Sequence, residues 1–111
     1  MRLMYKEIKP LRDKLLIEQN NICLLCGQPI TNGEEVLDHI HKKPHNIRGV
    51  LHRACNLALG KFEGAIQRNK ITPEQLIGIC NNLIDYIHIQ REEVHPISTR
   101  KRRATSKKKN P

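Results

Sequence analysis

The segment LDHIHKKPHNIRGVLHRACN, residues 37–56, holds one Asp, four His, one Cys and two Asn. These are side chains that bind metal ions and move protons. They divide by softness. Cys23-x2-Cys26 upstream is half of a zinc site, because that spacing lets two thiolates on one tight turn reach a single ion. His52-x2-Cys55 fits as the other half, giving three Cys and one His around a tetrahedral ion. His41 and His45 are alternatives for the place of His52. A closed four-ligand zinc holds structure and leaves no position for a substrate. It accounts for His52 and Cys55 and leaves Asp38, His39, His41 and Asn56 over.

The remainder suits phosphodiester hydrolysis. A water must lose a proton as it attacks phosphorus, and a histidine near its working pKa can take it. Charge on the phosphoryl oxygens and the departing O3′ is neutralised by a hard divalent cation, which prefers carboxylate and amide oxygens. Asp38 and Asn56 offer such oxygens and His39 offers the base. Ligand softness would separate two sites, thiolates for zinc and oxygens for magnesium or manganese. Neighbours on a strand point to opposite faces. Asp38 and His39 therefore reach one phosphate only where the strand bends or ends, whereas His39 and His41 share a face.

The elements that must position these groups are short. Ile8, Leu11, Leu15 and Leu16 recur at helical spacing and predict a first helix over about 10–19, with Pro10 in its first turn and Asn20-Asn21 closing it. Asn32-Gly33 is a hairpin dipeptide. EVLDHI reads as a strand, 41–46 as a loop and 47–51 as a second strand. Arg53 to Phe62 suits a helix that brings Asn56 beside the zinc, and 68–72 reads as a connection. Thr72, Pro73 and Gln75 spell an N-cap and capping box. The helix after them runs to about Gln90, with Leu76, Cys80, Leu83 and Ile87 on one face, and Cys80 is expected in the core. That stripe is broad enough for a helix clamped between others, or for a dimer. His45 is expected to be a solvated loop residue, and disorder is expected after Pro96.

The totals frame this arrangement. A chain of 111 residues is expected to form one domain, with one Phe, two Tyr and no Trp to fill its core. A chain this short buries only about 60–65% of its unfolded surface, and a structural metal compensates. Seven of the nine net positive charges lie at Arg100, Lys101, Arg102, Arg103 and Lys107–Lys109, which leaves +2 for residues 1–97. A concentrated cationic tail points to a polyanion, nucleic acid first. No apolar run is long enough for a membrane span or a signal peptide, so a cytoplasmic location is expected. In such a compartment thiols are read as ligands before disulfides.

The ordered set LDHIH…IRGVLHRACNLALG, with Cys23-x2-Cys26 upstream and His95-Pro96 downstream, strongly resembles the recombination endonuclease VII group of HNH nucleases, the ββα-metal fold. The resemblance covers about residues 10–97. It implies an α+β, mostly helical fold: a ββα-metal finger with a zinc-knuckle hairpin, flanked by an N-terminal helix and a long C-terminal helix. The nuclease domain would be 1–97 and the basic tail 98–111. Asp38 would bind the catalytic Mg2+ or Mn2+ and Asn56 would be its second ligand. His39 would activate water and His41 would contact the scissile phosphate. Cys23, Cys26, His52 and Cys55 would hold Zn2+.

Two departures stand out. Many relatives carry Cys where this chain has His52. Some carry an acid three positions after the Asn, where this chain has Leu59. The resemblance thus implies nuclease chemistry more firmly than resolution of branched DNA. Resolving-type relatives carry a further C-terminal domain, whereas here the basic tail follows. They also form intertwined dimers, which would place a homodimer interface on residues 73–90. The expected activity is metal-dependent DNA cleavage, with a phage or mobile-element setting. Lys42, Lys43, Arg48, Arg53 and Arg100, Lys101, Arg102 and Arg103 would engage phosphates. The rival reading is a zinc-stabilised DNA-binding module without catalysis, and RNA is a further substrate option.

Overall fold

The computed structural model describes residues 2–99, and the basic cluster of 100–111, expected to be disordered, lies outside them. The elements are α1 (Ile8–Glu18), β1 (Glu35–His39), β2 (Ile47–His52), α2 (Arg53–Asn69) and α3 (Pro73–Ile87), with short 3-10 turns at Tyr5–Glu7 and Pro96–Thr99. The fold is α+β, with three α-helices and one two-stranded antiparallel sheet among the described residues. The chain divides into two compact units at Ile71/Thr72.

In the first unit, α1 ends where expected. Asn20 and Asn21 take left-handed backbone angles, φ 55° and 60°, which Asn tolerates better than most residues. The chain then reverses through a small hairpin closed by the Ile22–Pro29 bridge, with Gly27 at φ 75°. The Asn32-Gly33 dipeptide makes a turn, Glu34 N–H donating to Thr31 O at 2.9 Å, but it leads into β1 and does not join two ladder strands.

β1 and β2 pair in register from Glu35–His52 through Asp38–Gly49. The ladder then slips, so that His39 faces Ile47 and Arg48 is the extra residue. This irregularity, a bulge, falls between Asp38 and His39.

The core is small. Among the described residues its buried apolar members are Cys23, Val50 and Leu51. Gln19, the residue that closes α1, acts as a strand partner for Val50. Its amide nitrogen donates to Val50 O and Ile22 O, and its oxygen accepts from Val50 N–H, each at 2.9 Å. Gly49 permits this close approach. A Cβ there would lie 2.6 Å from Leu24 Cδ1 and 3.3 Å from Gln19 Oε1.

α2 runs to Asn69, seven residues beyond the expected end at Phe62. It stops in a Schellman closure, with Ile71 N–H on Ile66 O at 3.1 Å and Lys70 N–H on Gln67 O at 3.4 Å. The left-handed position of that motif is Lys70, φ 53°, where glycine is usual.

In the second unit, α3 begins as expected. Thr72 Oγ1 accepts from Gln75 N–H at 3.1 Å and Gln75 Oε1 accepts from Thr72 N–H at 2.9 Å. The helix ends at Ile87, three residues short of Gln90, and at 15 residues it is shorter than α2 at 17. Cys80 is exposed, which corrects its expected place in the core. Ile77, Ile84 and Ile87 share its face of α3 and are all at least 60% exposed. Disorder is expected after Pro96, yet Pro96–Thr99 form a 3-10 turn.

Candidate functional site

The first pair of thiols sits on the small hairpin. Gly27 N–H donates to Cys23 O at 2.9 Å and Cys23 N–H to Gln28 O at 2.9 Å, which tightens the turn around both sulfurs. The second pair spans the junction of β2 and α2. His52 ends the strand in extended geometry and Cys55 lies in the first turn of the helix. The Cys23, Cys26, His52 and Cys55 donor atoms all lie within 4.8 Å of one another. His52 Nδ1 is 3.3 Å from Cys26 Sγ and 3.8 Å from Cys55 Sγ. On the far side of the ring, Nε2 lies 2.8 Å from Pro29 O. A carbonyl only accepts, so Nε2 carries the proton and Nδ1 turns its lone pair toward the thiols.

The titration of these groups follows from their surroundings. Burial pushes the Cys23 thiol up, but the N–H groups of Cys26, His52 and Leu25, and the His52 ring, outweigh it and bring the thiol to about 6. Burial and the neighbouring Cys26 and Cys23 sulfurs push Cys55 up to about 11. The Pro29 carbonyl, then the Cys23 sulfur, raise His52. Thiolates crowded this closely favour a cation among them. Zn–S bonds of about 2.3 Å set sulfurs roughly 3.8 Å apart, so three sulfurs and one imidazole nitrogen at these spacings fit four-coordinate zinc. The cluster is a candidate metal centre with the donor set of a structural zinc. His52, not His41 or His45, completes it.

A second polar cluster surrounds the bulge. Asp38 is buried, the sole buried charged side chain among the described residues. Arg48 Nε donates to Asp38 Oδ2 at 2.7 Å. Its two terminal nitrogens donate to Glu63 Oε2 and Oε1 at 2.9 and 3.1 Å. The Arg48 hydrogen bonds hold the Glu63 carboxyl below its usual range, and Glu63 and Asp38 in turn raise the guanidinium.

His39 closes β1. Its Nδ1 lies 3.1 Å from Ile40 O, and His45 Nδ1 lies 3.1 Å from the same oxygen. A carbonyl only accepts, so both rings donate from Nδ1, and in the neutral ring the lone pair lies on Nε2. The His39 ring centroid is 5.1 Å from that of His41 and 5.6 Å from that of His45. His45, expected as a loop bystander, is thus packed edge-on against His39 at φ 62°.

Asn56 is half-buried and sits one residue past Cys55 on α2. Its position and that of Glu63 are seven apart and share a helix face. Among the described residues its amide has no hydrogen-bond partner, unlike the carboxylates of Asp38 and Glu63.

The family model of recombination endonuclease VII matches residues 1–89. The chain belongs to the recombination endonuclease VII family. No curated protein matches it at a significant level. Endonuclease VII family membership makes the chain a nuclease, a hydrolase of phosphodiester bonds, with DNA as the substrate class. The match spans the thiol–imidazole cluster, the bulge and Glu63, so every side chain of both clusters lies within the endonuclease VII region.

Of the cations expected at phosphates, Lys42 and Lys43 are exposed on the loop between the strands. Arg53 reaches back to Gly33 O at 3.2 Å. All three guanidinium nitrogens of Arg48 are engaged by the buried Asp38 and the Glu63 fork. Arg100, Lys101, Arg102 and Arg103 lie outside the described residues. No described helix is long and apolar enough to cross a membrane. Sequence reasoning missed Glu63 and Gln19. Glu63 had a signal, its seven-residue spacing from Asn56, which was hidden by ending the helix at Phe62.

Proposed function

We propose that the chain is a metal-dependent DNA endonuclease of the HNH, ββα-metal type. One zinc ion is structural, and a separate oxygen-liganded Mg2+ or Mn2+ serves a one-metal reaction. The observation that carries the reading is the bulge. It ends β1 with buried Asp38 beside His39, whose Nδ1–H is tied to Ile40 O, while α2 rises from the thiol cluster with the unpartnered amide of Asn56. The donor set fits a hard cation, one carboxylate and one amide oxygen on elements that pack together.

When bound, that cation neutralises charge on the phosphoryl oxygens and the leaving O3′. The protein supplies the rest. His39 Nε2 takes the proton of the attacking water as the new P–O bond forms and the P–O3′ bond breaks. The Ile40 carbonyl holds the ring and its tautomer. His41, on the same side of the strand end, orients the scissile phosphate. Lys42, Lys43, Arg53 and the tail at 98–111 bind flanking phosphates.

Nicking of supercoiled plasmid in Mg2+ tests this reading. His39→Ala is expected to abolish nicking, with zinc content and DNA affinity kept. Cleavage by the variant at the wild-type rate would remove His39 as the base. DNA binding with no cleavage by the wild-type protein would favour a zinc-stabilised binding module instead.

A further inference from the structure

The Asp38–Arg48–Glu63 trio sets an electrostatic problem for the proposed cation site. Arg48 Nε lies 2.7 Å from Asp38 Oδ2. A guanidinium that close cancels the charge of the carboxylate, and a neutral pair attracts a dication weakly. Glu63 takes the opposite edge of the same guanidinium through two parallel hydrogen bonds of 2.9 and 3.1 Å. With it the trio regains one net negative charge. The fork is also directional. Two bonds to Glu63 fix the plane of the guanidinium, and the plane fixes which Asp38 oxygen it occupies. Oδ2 is taken, while Oδ1 has no hydrogen-bond partner among the described residues.

The topology reinforces the arrangement. Asp38 is on β1, Arg48 is the bulged residue of β2 and Glu63 is on α2. Glu63 shares its helix face with Asn56, two turns back and about 10 Å along the axis. One helix thus presents both the amide and the compensating charge.

We infer that Glu63 is a positioning residue for the divalent cation: by holding Arg48 edge-on it leaves Asp38 Oδ1 free for the ion, and it restores the negative charge that Arg48 cancels. This rests on Asp38 and Asn56 being the cation ligands.

Mn2+ titration of the zinc-loaded full-length protein without DNA, followed by electron paramagnetic resonance, tests the inference. Wild type, Asp38→Asn, Glu63→Gln and Glu63→Asp are compared, with zinc content and melting measured on each. Glu63→Gln is expected to weaken Mn2+ binding roughly tenfold at low salt, the scale on which one unit charge acts on a nearby dication. Its zinc content should be unchanged. Glu63→Asp keeps the charge and is expected to bind within about threefold of wild type. Wild-type Mn2+ affinity in Glu63→Gln, or equal weakening in the Gln and Asp variants, would overturn the role of Glu63 and leave the cation site standing. If Asp38→Asn binds Mn2+ as wild type does, the cation site itself falls and this inference with it.

Discussion

Arg48 commits all three guanidinium nitrogens to carboxylates, and one of those carboxylates is buried. Removing one partner of a buried pair leaves an uncompensated charge, which costs more than the pair contributes. Arg48→Ala is therefore expected to lower stability by about 3 kcal/mol in urea denaturation of the zinc-loaded protein. The pH dependence has a definite sign. Arg48 holds the Glu63 carboxyl below its ordinary value of 4.5. The Glu63 share of the stabilisation is thus present above that value and lost as pH falls through the lowered one. The gap between wild type and variant should narrow in acid, and a constant gap would deny the Glu63 contribution. At this scale the soft ligands were readable, because two x2-spaced pairs leave few other meanings. Glu63 was not, because an acid on a helix face looks like solvated surface until its partner is known. His45 was hidden for a similar reason. Nothing in its spacing shows that its ring would share a carbonyl with His39.

The helices differ in how openly their ends are written. Thr72, Pro73 and Gln75 announce the start of α3 by residue type, and the hydrogen bonds follow. α2 ends at a left-handed Lys70, and lysine carries no such message. The closure comes from backbone bonds to Ile66 and Gln67, which no side-chain pattern encodes. Gln19 was equally silent, since an amide that completes a strand ladder is invisible until the strand is placed beside it. α3 carries its own prediction. Ile77, Cys80, Ile84 and Ile87 form an exposed stripe, and an apolar face of this kind favours burial against a partner. The homodimer that the resemblance implies on residues 73–90 would cover it. Sedimentation is expected to show a dimer at micromolar concentration and a monomer for Ile84→Glu. A monomeric wild type would exclude the interface.

For the molecule as a whole, charge and chemistry are separated along the chain. Residues 1–97 carry +2, while seven cations lie between Arg100 and Lys109. Affinity from such a tail is counterion release, so it acts on any DNA sequence and fades with salt. Deleting residues 98–111 is expected to weaken DNA binding. It should also flatten the plot of log affinity against log salt by about 0.9 for each phosphate that is no longer neutralised. An unchanged slope would show that the tail neutralises none.

The extra residue in β2 has one more consequence, for anyone grafting this motif onto another scaffold. A regular hairpin bearing the same aspartate–histidine pair would send the two side chains to opposite sides of the ribbon. On the proposed reading, in which both side chains serve one phosphate, the odd residue would have to travel with the motif, because the twist it introduces is local to that pair.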